Sequence, residues 1–566
     1  MTSQTAPPPA RWAAPAAVCA LAVLVHLGKL ANPLLQWDDR RFILNQPLVH
    51  SLVHWPRFFV AGQDGLYRPL RTLLYALSYR LFDGRAPGYQ VVGLLLHAAC
   101  CAAFLLLLRR AAIPERAAFL SALVFAVHPV HVERVAGITA SYDLLGDGLL
   151  LAALTLYLDA RDRSRPAWRR FLWAPTFVLA LFSSEMALVF LPAAVLLDCI
   201  VPMDDRRAWR EGLPAYVVAA GLSALYLLAR HATQGTLGRG AARPGISPLY
   251  TLLTVARFDL HYLKLFVLHW RTAYFHDVPV IGPATAGRGL LALAVHAALL
   301  VAAVLLRRRA RGIALGVFLF YAALLPFSQI VPNAPWFQER YAYLALAGWA
   351  LVLGSLADLA WGRLRTRAVR IAAASVGAGY LLLLSATSWA AVALFRDDLA
   401  LWSHAIAAEP GIAGGYNNLG AALLFRGRCD EALPLYRKAV GLDPGFTLAA
   451  RGLAGALDCL DRVAEARQAY ARFLELVPGD REALDRYCRL GLSLGETDET
   501  IRLLERRGLD PAAYPPSLLT LAAAYVGKGD AGRAREWLGR YLRERPGDAE
   551  ALKLREMVEK GLPAAK

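Results

Sequence analysis

The chain has 566 residues, 57% of them hydrophobic, and a net charge of +18 at pH 7. This composition excludes an ordinary soluble domain, because the apolar residues cluster in runs of about 20, the length that crosses a bilayer core of ~30 Å. The basic charge does not indicate nucleic-acid binding, since the arginines stand in short loops between those runs. We therefore predict a membrane protein that binds no nucleic acid.

Apolar runs in the first 400 residues predict a polytopic helical domain with about 11 membrane spans. They cover 12–30, 88–108, 117–134, 141–158, 171–184, 186–202, 213–230, 288–306, 312–331, 338–360 and 371–395. With the N-terminus in the cytoplasm, the arginine-rich loops after the second, fourth and sixth spans fall inside, as the positive-inside rule requires. The first run has no clear cleavage site and is longer than a signal-peptide core, which indicates an uncleaved span.

One further apolar stretch, 251–271, does not fit a simple crossing. It contains Arg257, Asp259, His261 and Lys264, which are costly at bilayer depth. We interpret it as interfacial or re-entrant on the outer side. The C-terminus then lies outside, together with the loops that contain most of the polar and aromatic residues.

The first outer loop, 31–87, contains an acidic pair, Asp38 and Asp39, followed by Arg40 and Arg41. Two interpretations stand. The carboxylates could cap the helix that starts near Arg40, or one of them could be a general base held close to an acceptor hydroxyl.

The same loop ends in "GLYRPLRTLLYALSYRLF", with apolar residues at helical spacing. This pattern is typical of an amphipathic helix lying on the outer interface. Arg68, just before the proline, is placed to bind a lipid phosphate through its guanidinium. The alternative is a surface helix whose arginines extend past apolar stems.

The second outer segment is "HPVHVERVAGITASYD", residues 128–143. His128, His131 and Glu133 do not have a standard zinc spacing, so no metal site is predicted. Packing at a helix end, or phosphate contacts from the histidines or Arg134, are the alternatives. Asp143 and Asp147 share one helix face, where an ion pair and a functional role are weighed equally. The candidates for lining a cavity on this side are Glu133, Asp143, Glu185, His276, Asp277 and Glu339, while Arg340 either pairs with Glu339 or faces a phosphate.

Residues 401–566 have the period of a tetratricopeptide repeat. Prolines at 410, 444, 478, 511 and 546 are separated by 34, 34, 33 and 35 residues. The first repeat has consensus residues at Tyr416, Leu419, Gly420, Leu423, Ala432, Tyr436, Ala439 and Pro444. We predict about four repeats, degenerate around 481–511, in an α-solenoid whose groove suits an acceptor polypeptide or partner protein. The chain as a whole is thus predicted to be all-α.

The seven cysteines predict no disulfide framework. Cys19, Cys100, Cys101 and Cys199 lie in apolar runs, and Cys429, Cys459 and Cys488 lie one per repeat. Because no CxxC spacing is present, we interpret all seven as small buried residues.

Read in order, "WDD", "YRPL", "HPVHVERVAGITASYDLL", "YLKLFVLHWRTAYFHD" and "ERYAYL", followed by the repeats, resemble the transmembrane-and-tetratricopeptide-repeat O-mannosyltransferases. They also resemble the bacterial relatives of that family among the C-type (GT-C) membrane glycosyltransferases. The resemblance covers about 30–566.

That resemblance implies inverting transfer of a sugar, a hexose such as mannose, from a polyprenyl-phosphate donor. The acceptor would be a hydroxyl on the outer face, foremost of protein Ser or Thr. Asp38 or Asp39 would be the base, with Asp38 the first choice. The leaving lipid phosphate would be held by Arg68, His128, His131, Arg134 and Arg340. No nucleotide-binding loop is visible, which suits a donor arriving through the membrane. No metal is required by this chemistry, although related enzymes differ on this point and a divalent metal stays an alternative.

Two alternatives remain open. The first is a non-catalytic membrane scaffold whose repeats recruit envelope or secretion complexes. The second is a related enzyme with a lipid or cell-wall glycan as acceptor. The composition, rich in alanine and arginine, suggests a bacterial inner membrane, with the site and the repeats on the periplasmic side.

Overall fold

The computed structural model of the chain describes residues 8–35, 38–60, 66–161, 166–201, 208–237, 246–267, 276, 278–332, 337–506 and 515–560. These residues form two compact units, Met1–Glu409 and Pro410–Lys566. Within the described ranges every regular element is a helix. The predicted all-α fold class is confirmed.

The first unit contains sixteen α-helices in the described residues, joined by short 3-10 and π turns. They are α1 Pro8–His26, α2 Pro69–Phe82, α3 Ala86–Arg110, α4 Glu115–Val127, α5 Val132–Ala136, α6 Ile138–Tyr142, α7 Leu144–Arg161, α8 Trp173–Ser183, α9 Phe190–Ile200, α10 Ala208–Gln234, α11 Pro248–Val267, α12 Ala286–Leu306, α13 Arg311–Leu324, α14 Tyr343–Arg363, α15 Arg367–Leu394 and α16 Asp398–Ala408.

Six helical stretches in the described residues are long and apolar enough to cross a membrane. They are Trp12–Ala31, Ala86–Arg110, Arg210–Gln234, Pro283–Leu306, Glu339–Arg363 and Arg367–Leu394. A seventh would be the pair Glu115–Val127 and Pro129–Ala136, which is bent by 51°.

Several predicted runs are therefore not single long helices. The run at 117–134 breaks where Pro129 follows His128, because proline cannot continue the hydrogen-bond ladder. The runs at 171–184 and 186–202 contain α8 and α9, of 11 residues each, separated by a 3-10 turn at Glu185–Val189. Hydropathy does not register these breaks, so the number of crossings and the interfacial position of α11 stay predictions.

Small residues allow the helices of the first unit to pack closely. A Cβ atom added to Gly316 of α13 would lie 2.5 Å from the carbonyl oxygen of Gly348 in α14. On the other face of α14, a Cβ on Gly354 would lie 2.6 Å from the carbonyl oxygen of Ala117 in α4. In a bilayer the hydrophobic effect does not drive helices together, because the lipid tails are as apolar as the side chains. Close backbone packing of this kind is then a main source of helix association. It fixes α4, α13 and α14 relative to one another.

The second unit is a series of antiparallel helix pairs. Its helices are α17 Ala413–Phe425, α18 Cys429–Leu442, α19 Thr447–Cys459, α20 Val463–Leu476, α21 Arg481–Ser493, α22 Thr497–Arg506, α23 Pro516–Gly527, α24 Ala531–Glu544 and α25 Ala549–Glu559. Tyr436 of α18 packs against Gly420 of α17, where an added Cβ would lie 3.1 Å from its ring. The predicted solenoid of about four repeats is confirmed, with α25 following the last pair.

The interpretation of the cysteines is wrong for three of the seven. Cys429 and Cys459 form a disulfide with a Cα–Cα distance of 6.2 Å. They meet because α18 begins beside the end of α19, a contact that spacing along one helix cannot reveal. Cys199 is exposed rather than buried and Cys19 is half-buried, whereas Cys100, Cys101 and Cys488 are buried.

Candidate functional site

One cavity of the first unit is lined by six separate segments. They are the loop after α1, the start of α2, the bend between α4 and α7, the turn after α8, the turn after α13 and the turn before α14. The lining residues are Asp38, Phe42, Leu66, Arg68, Arg71, Arg134, Thr139, Ala140, Asp143, Glu185, Met186, Phe327, Arg340 and Tyr341. Six residues singled out in the sequence thus lie around one cavity: Asp38, Arg68, Arg134, Asp143, Glu185 and Arg340.

The two adjacent carboxylates in the loop after α1, Asp38 and Asp39, have different environments. Asp39 is 4% exposed. Its Oδ1 accepts hydrogen bonds from the backbone N–H of Thr139 at 2.9 Å and from the Thr139 hydroxyl at 2.8 Å, while Oδ2 accepts from the Leu35 N–H at 3.1 Å. Burial raises the pKa of Asp39 to about 6, against the lowering effect of these hydrogen bonds. Asp39 therefore anchors the loop to the first turn of α6.

Asp38 is open to the cavity. Its side chain is 30% exposed, and its Oδ2 lies 3.7 Å from Nη1 of Arg340. It also borders a second, smaller cavity, lined by Leu35, Asp38, Asp39, Glu133, Gly137, Thr139, Ala140, Arg340 and Phe395. Asp38 lines both cavities, whereas Asp39 lines only the smaller one. A ligand in either cavity could therefore reach the carboxylate of Asp38.

Arg68 binds two carboxylates. Its Nε and Nη2 donate to the two oxygens of Glu185 at 2.7 and 2.6 Å, a bidentate arrangement, and its Nη1 donates to Asp143 Oδ1 at 2.5 Å. Arg71, one turn later on α2, donates to the same Asp143 oxygen at 2.8 Å. Arg71 was not predicted, although its position three residues after Arg68 places both on one helix face.

Arg134 joins this network from the opposite side. It donates to Asp147 Oδ2 at 2.7 Å and to Asp143 Oδ2 at 3.3 Å. Both Asp143 and Asp147 therefore form ion pairs in this structure, as the first of the two interpretations expected. Three arginines face three carboxylates in a poorly solvated space, where each charge requires its partners.

Arg340 lies between two acidic residues. Its backbone N–H donates to Glu133 Oε2 at 2.9 Å, and its Nε lies 3.7 Å from Glu133 Oε1. Since its Nη1 faces Asp38, the guanidinium bridges the first outer loop and the segment after α4. Glu133 was expected only to line the cavity; here it also orients Arg340.

His128 and His131 do not line either cavity. Both rings are fully buried. The Nε2 of His128 lies 3.2 Å from the Phe266 carbonyl oxygen, and the Nε2 of His131 lies 3.3 Å from the Tyr343 carbonyl oxygen. The expected phosphate contact is therefore replaced by packing at the helix break, the other interpretation of these residues.

His276 and Glu339 form a separate pair, with Nε2 and Oε1 at 2.7 Å. The Nε2 of His261 on α11 lies 3.3 Å from the Nδ1 of His276. Glu339 is fully buried, and neither it nor His276 lines the cavity of Asp38. Asp277 and Trp37 lie outside the described residues. In the parts of the chain that the structure describes, no cluster of three or more His, Cys, Asp or Glu residues has a geometry suited to a metal ion.

Two other residues near the site were missed. Lys29, at the end of the first apolar stretch, is fully buried and donates to the Val135 carbonyl oxygen at 2.6 Å. Tyr226 of α10 donates to the carbonyl oxygen of Tyr67, the residue before Arg68, at 3.1 Å. The position of Lys29 inside an apolar run was a signal in the sequence for a buried contact of this lysine. The sequence contains no signal for the contact between Tyr226 and Tyr67.

No family model matches the chain, but curated relatives do. A protein O-mannosyl-transferase of Caenorhabditis elegans is 24% identical over 428 residues, which cover 73% of this chain and 60% of that protein. Tmtc1 of Drosophila melanogaster is 34% identical over 33% of this chain and 23% of its own length. TMTC2 of Homo sapiens is 29% identical over 27% of this chain and 20% of its own length. The chain thus spans less than two thirds of the length of these relatives.

Two solved membrane enzymes also show a likeness. The Archaeoglobus fulgidus oligosaccharyltransferase matches 68% of this chain and 55% of its own at 15% identity, with a TM-score of 0.41. ArnT from Cupriavidus metallidurans matches 81% of this chain and 79% of its own at 16% identity, with a TM-score of 0.33. Scores this low carry no functional argument. The resemblance predicted from the motifs is confirmed at the level of sequence: the curated relatives that this chain matches are protein O-mannosyltransferases of the TMTC family.

Proposed function

We propose that the chain is an integral-membrane glycosyltransferase. It moves a hexose, with mannose the first candidate, from a polyprenyl-phosphate donor to an acceptor hydroxyl, foremost of protein Ser or Thr. One observation carries the proposal: the partly exposed carboxylate of Asp38 opposes Arg340 in a cavity that also contains Arg68, Arg71 and Arg134. A base and a cluster of cations in one cavity are what displacement of a sugar from a phosphate requires.

In the proposed reaction the acceptor hydroxyl loses its proton to the Asp38 carboxylate. The acceptor oxygen bonds to the anomeric carbon while the bond from that carbon to the phosphate oxygen breaks. The phosphate leaves with the bonding electron pair, still attached to its lipid. A single displacement of this kind inverts the anomeric configuration, and Asp38 ends protonated.

The arginines would stabilise the charge that grows on the leaving phosphate. Arg340 is best placed, because it faces Asp38 and is held by Glu133 from behind. Arg68 is oriented by its bidentate contact with Glu185. Since these guanidinium groups are fixed before the donor arrives, they need not reorganise during the reaction.

We place this cavity on the extracytoplasmic face of a bacterial inner membrane, with the N-terminus in the cytoplasm. The arginine-rich loops support this orientation. The end of α15 supports placing the repeats in the same compartment, since Phe395 lines a cavity with Asp38. The following helix, α16, has 11 residues, about 16 Å at 1.5 Å per residue, which is too short to cross back.

The groove of the second unit supports a polypeptide acceptor or a partner protein. It lies along α17, α19 and α21 and has a volume of about 580 Å³. Polar, charged and aromatic side chains line it, among them Asn417, Tyr436, Arg451, Tyr470 and Arg486. An acceptor that is a lipid or a cell-wall glycan would have less use for such a groove.

The test compares glycoproteins and envelope glycans by mass spectrometry in cells with the wild-type chain and with Asp38→Asn. We expect loss of transfer, because the amide cannot accept the proton. Asp83→Asn is the matched control, since Asp83 is an exposed carboxylate at the end of α2 with φ 48°, a conformation that asparagine tolerates.

An unchanged glycan profile in Asp38→Asn, with the variant present in membranes at the wild-type level, would favour the scaffold. Changes confined to lipid-linked or cell-wall glycans would favour the alternative acceptor.

A further inference from the structure

The disulfide between Cys429 and Cys459 joins two successive repeats. Cys429 is the first residue of α18, and Cys459 is the last residue of α19. Their Cα atoms are 6.2 Å apart, inside the range that a disulfide spans. The bond therefore connects the second helix of one repeat to the first helix of the next.

The two cysteines differ in exposure. Cys429 is 3% exposed, whereas Cys459 is exposed and forms part of the wall of the groove, together with Tyr436 and Tyr470. Neither cysteine belongs to a CxxC motif of the kind that exchanges disulfides in catalysis. These features are typical of a structural crosslink.

A structural disulfide indicates the redox state of the compartment in which the repeat unit lies. Glutathione and thioredoxin keep thiols reduced in the cytosol, whereas disulfides form and persist in the periplasm, the secretory pathway and the extracellular space. We propose that the mature protein contains a structural Cys429–Cys459 disulfide, and that its repeat unit therefore faces an oxidising compartment outside the cytoplasm.

The chemistry balances with an ordinary oxidant of that compartment. The two thiols lose two protons and two electrons as the S–S bond forms. An oxidised thiol–disulfide oxidoreductase receives them through a mixed disulfide and is released as its dithiol.

Charge along α15 points to the same orientation by an independent route. Arg363, Arg365, Arg367 and Arg370 surround its start, whereas a single arginine, Arg396, follows its end together with Asp397 and Asp398. The positive-inside rule places the arginine end in the cytoplasm. The chain then leaves α15 on the outer side, before the repeats begin. The inference does not depend on the proposed glycosyl transfer.

The test counts free thiols in the full-length chain. Cells that produce it are quenched in acid so that no thiol oxidises during lysis. The chain is then denatured and labelled with a maleimide that adds a fixed mass per thiol, with and without reductant. The structure has five free cysteines and the sequence seven, so we expect five labels without reductant and seven with it.

Single substitutions identify the pair. Cys429→Ser or Cys459→Ser should each give six labels both with and without reductant, because the remaining partner becomes free. Cys488→Ser is the matched control, since Cys488 is a buried cysteine of the same unit that lies outside the disulfide, and it should lower both counts by one. These counts are independent of transferase activity.

Seven labels on the wild-type chain without reductant would overturn the inference. It would also be overturned if a non-reducing gel showed Cys429 or Cys459 bonded to another protein. Either result leaves the assay of Asp38 untouched, so the two proposals can fail separately.

Discussion

Replacing Asp39 by asparagine tests the division of roles within the acidic pair. Burial raises the pKa of Asp39 from its ordinary 3.8 to about 6. The folded protein therefore holds the Asp39 proton more tightly than the unfolded chain does between these two values. By linkage, the contribution of Asp39 to stability is greatest below about pH 4 and falls as the pH rises to 6.

The size of this effect follows from the shift. A difference of about two pH units corresponds to about 3 kcal/mol of unfolding free energy. The asparagine of the variant would not titrate. Its amide oxygen can still accept from Thr139, but its NH₂ group would face the Leu35 N–H, at a pH-independent cost of about 1–3 kcal/mol. The stability of Asp39→Asn relative to wild type should thus rise by about 2 kcal/mol from pH 4 to pH 6.5, most of the full effect.

The measurement is the unfolding midpoint of both proteins in the same detergent across this pH range. Asp83→Asn again serves as the control for a carboxylate-to-amide change at an exposed position. A difference between Asp39→Asn and wild type that stays constant with pH, or that changes in the opposite direction, would contradict the buried, ionisable state of Asp39. Transferase activity should survive in Asp39→Asn better than in Asp38→Asn.

Three further outcomes are expected. Arg340→Lys should lower kcat by roughly 10²–10³ with little change in expression, because lysine cannot span Asp38 and Glu133 as the guanidinium does; transfer of a labelled sugar measures this. Gly316→Val should reduce the amount of folded protein recovered in detergent, since its Cβ would meet the Gly348 carbonyl. Reduction of the disulfide should destabilise the second unit by roughly 2–4 kcal/mol for a loop of 30 residues, seen as a lower melting midpoint that Cys488→Ser does not reproduce.

Periodicity predicted much of the fold. The proline spacing near 34 residues identified the repeats, because every repeat must present the same small and large residues to its neighbour. Apolar runs located the long helices. They failed where a helix breaks inside an apolar run, as at Pro129 and Ser184, since hydropathy measures side-chain polarity and not backbone hydrogen bonding.

The candidate site was predictable in part. Arg68, Arg134 and Arg340 were chosen because a charged residue near a bilayer needs a partner or a role, and they meet around one cavity. His128 and His131 were expected to bind phosphate for the same reason, but their Nε2 atoms lie within hydrogen-bond distance of the backbone carbonyl oxygens of Phe266 and Tyr343. Sequence alone could not reveal this, because the acceptors belong to residues distant in the chain.

Two neighbouring residues of one type end in opposite environments because of the turn that contains them. Asp39 is drawn inward by the free N–H and hydroxyl of Thr139 at the start of α6. Once it is held there, Asp38 is left directed at the cavity, facing Arg340. The buried carboxylate thus positions the exposed one, and a base supported in this way keeps its place while donor and acceptor exchange. An Asp39→Ala variant should therefore lose transfer through misplacement of Asp38, even though Asp39 contacts no substrate in the proposed reaction.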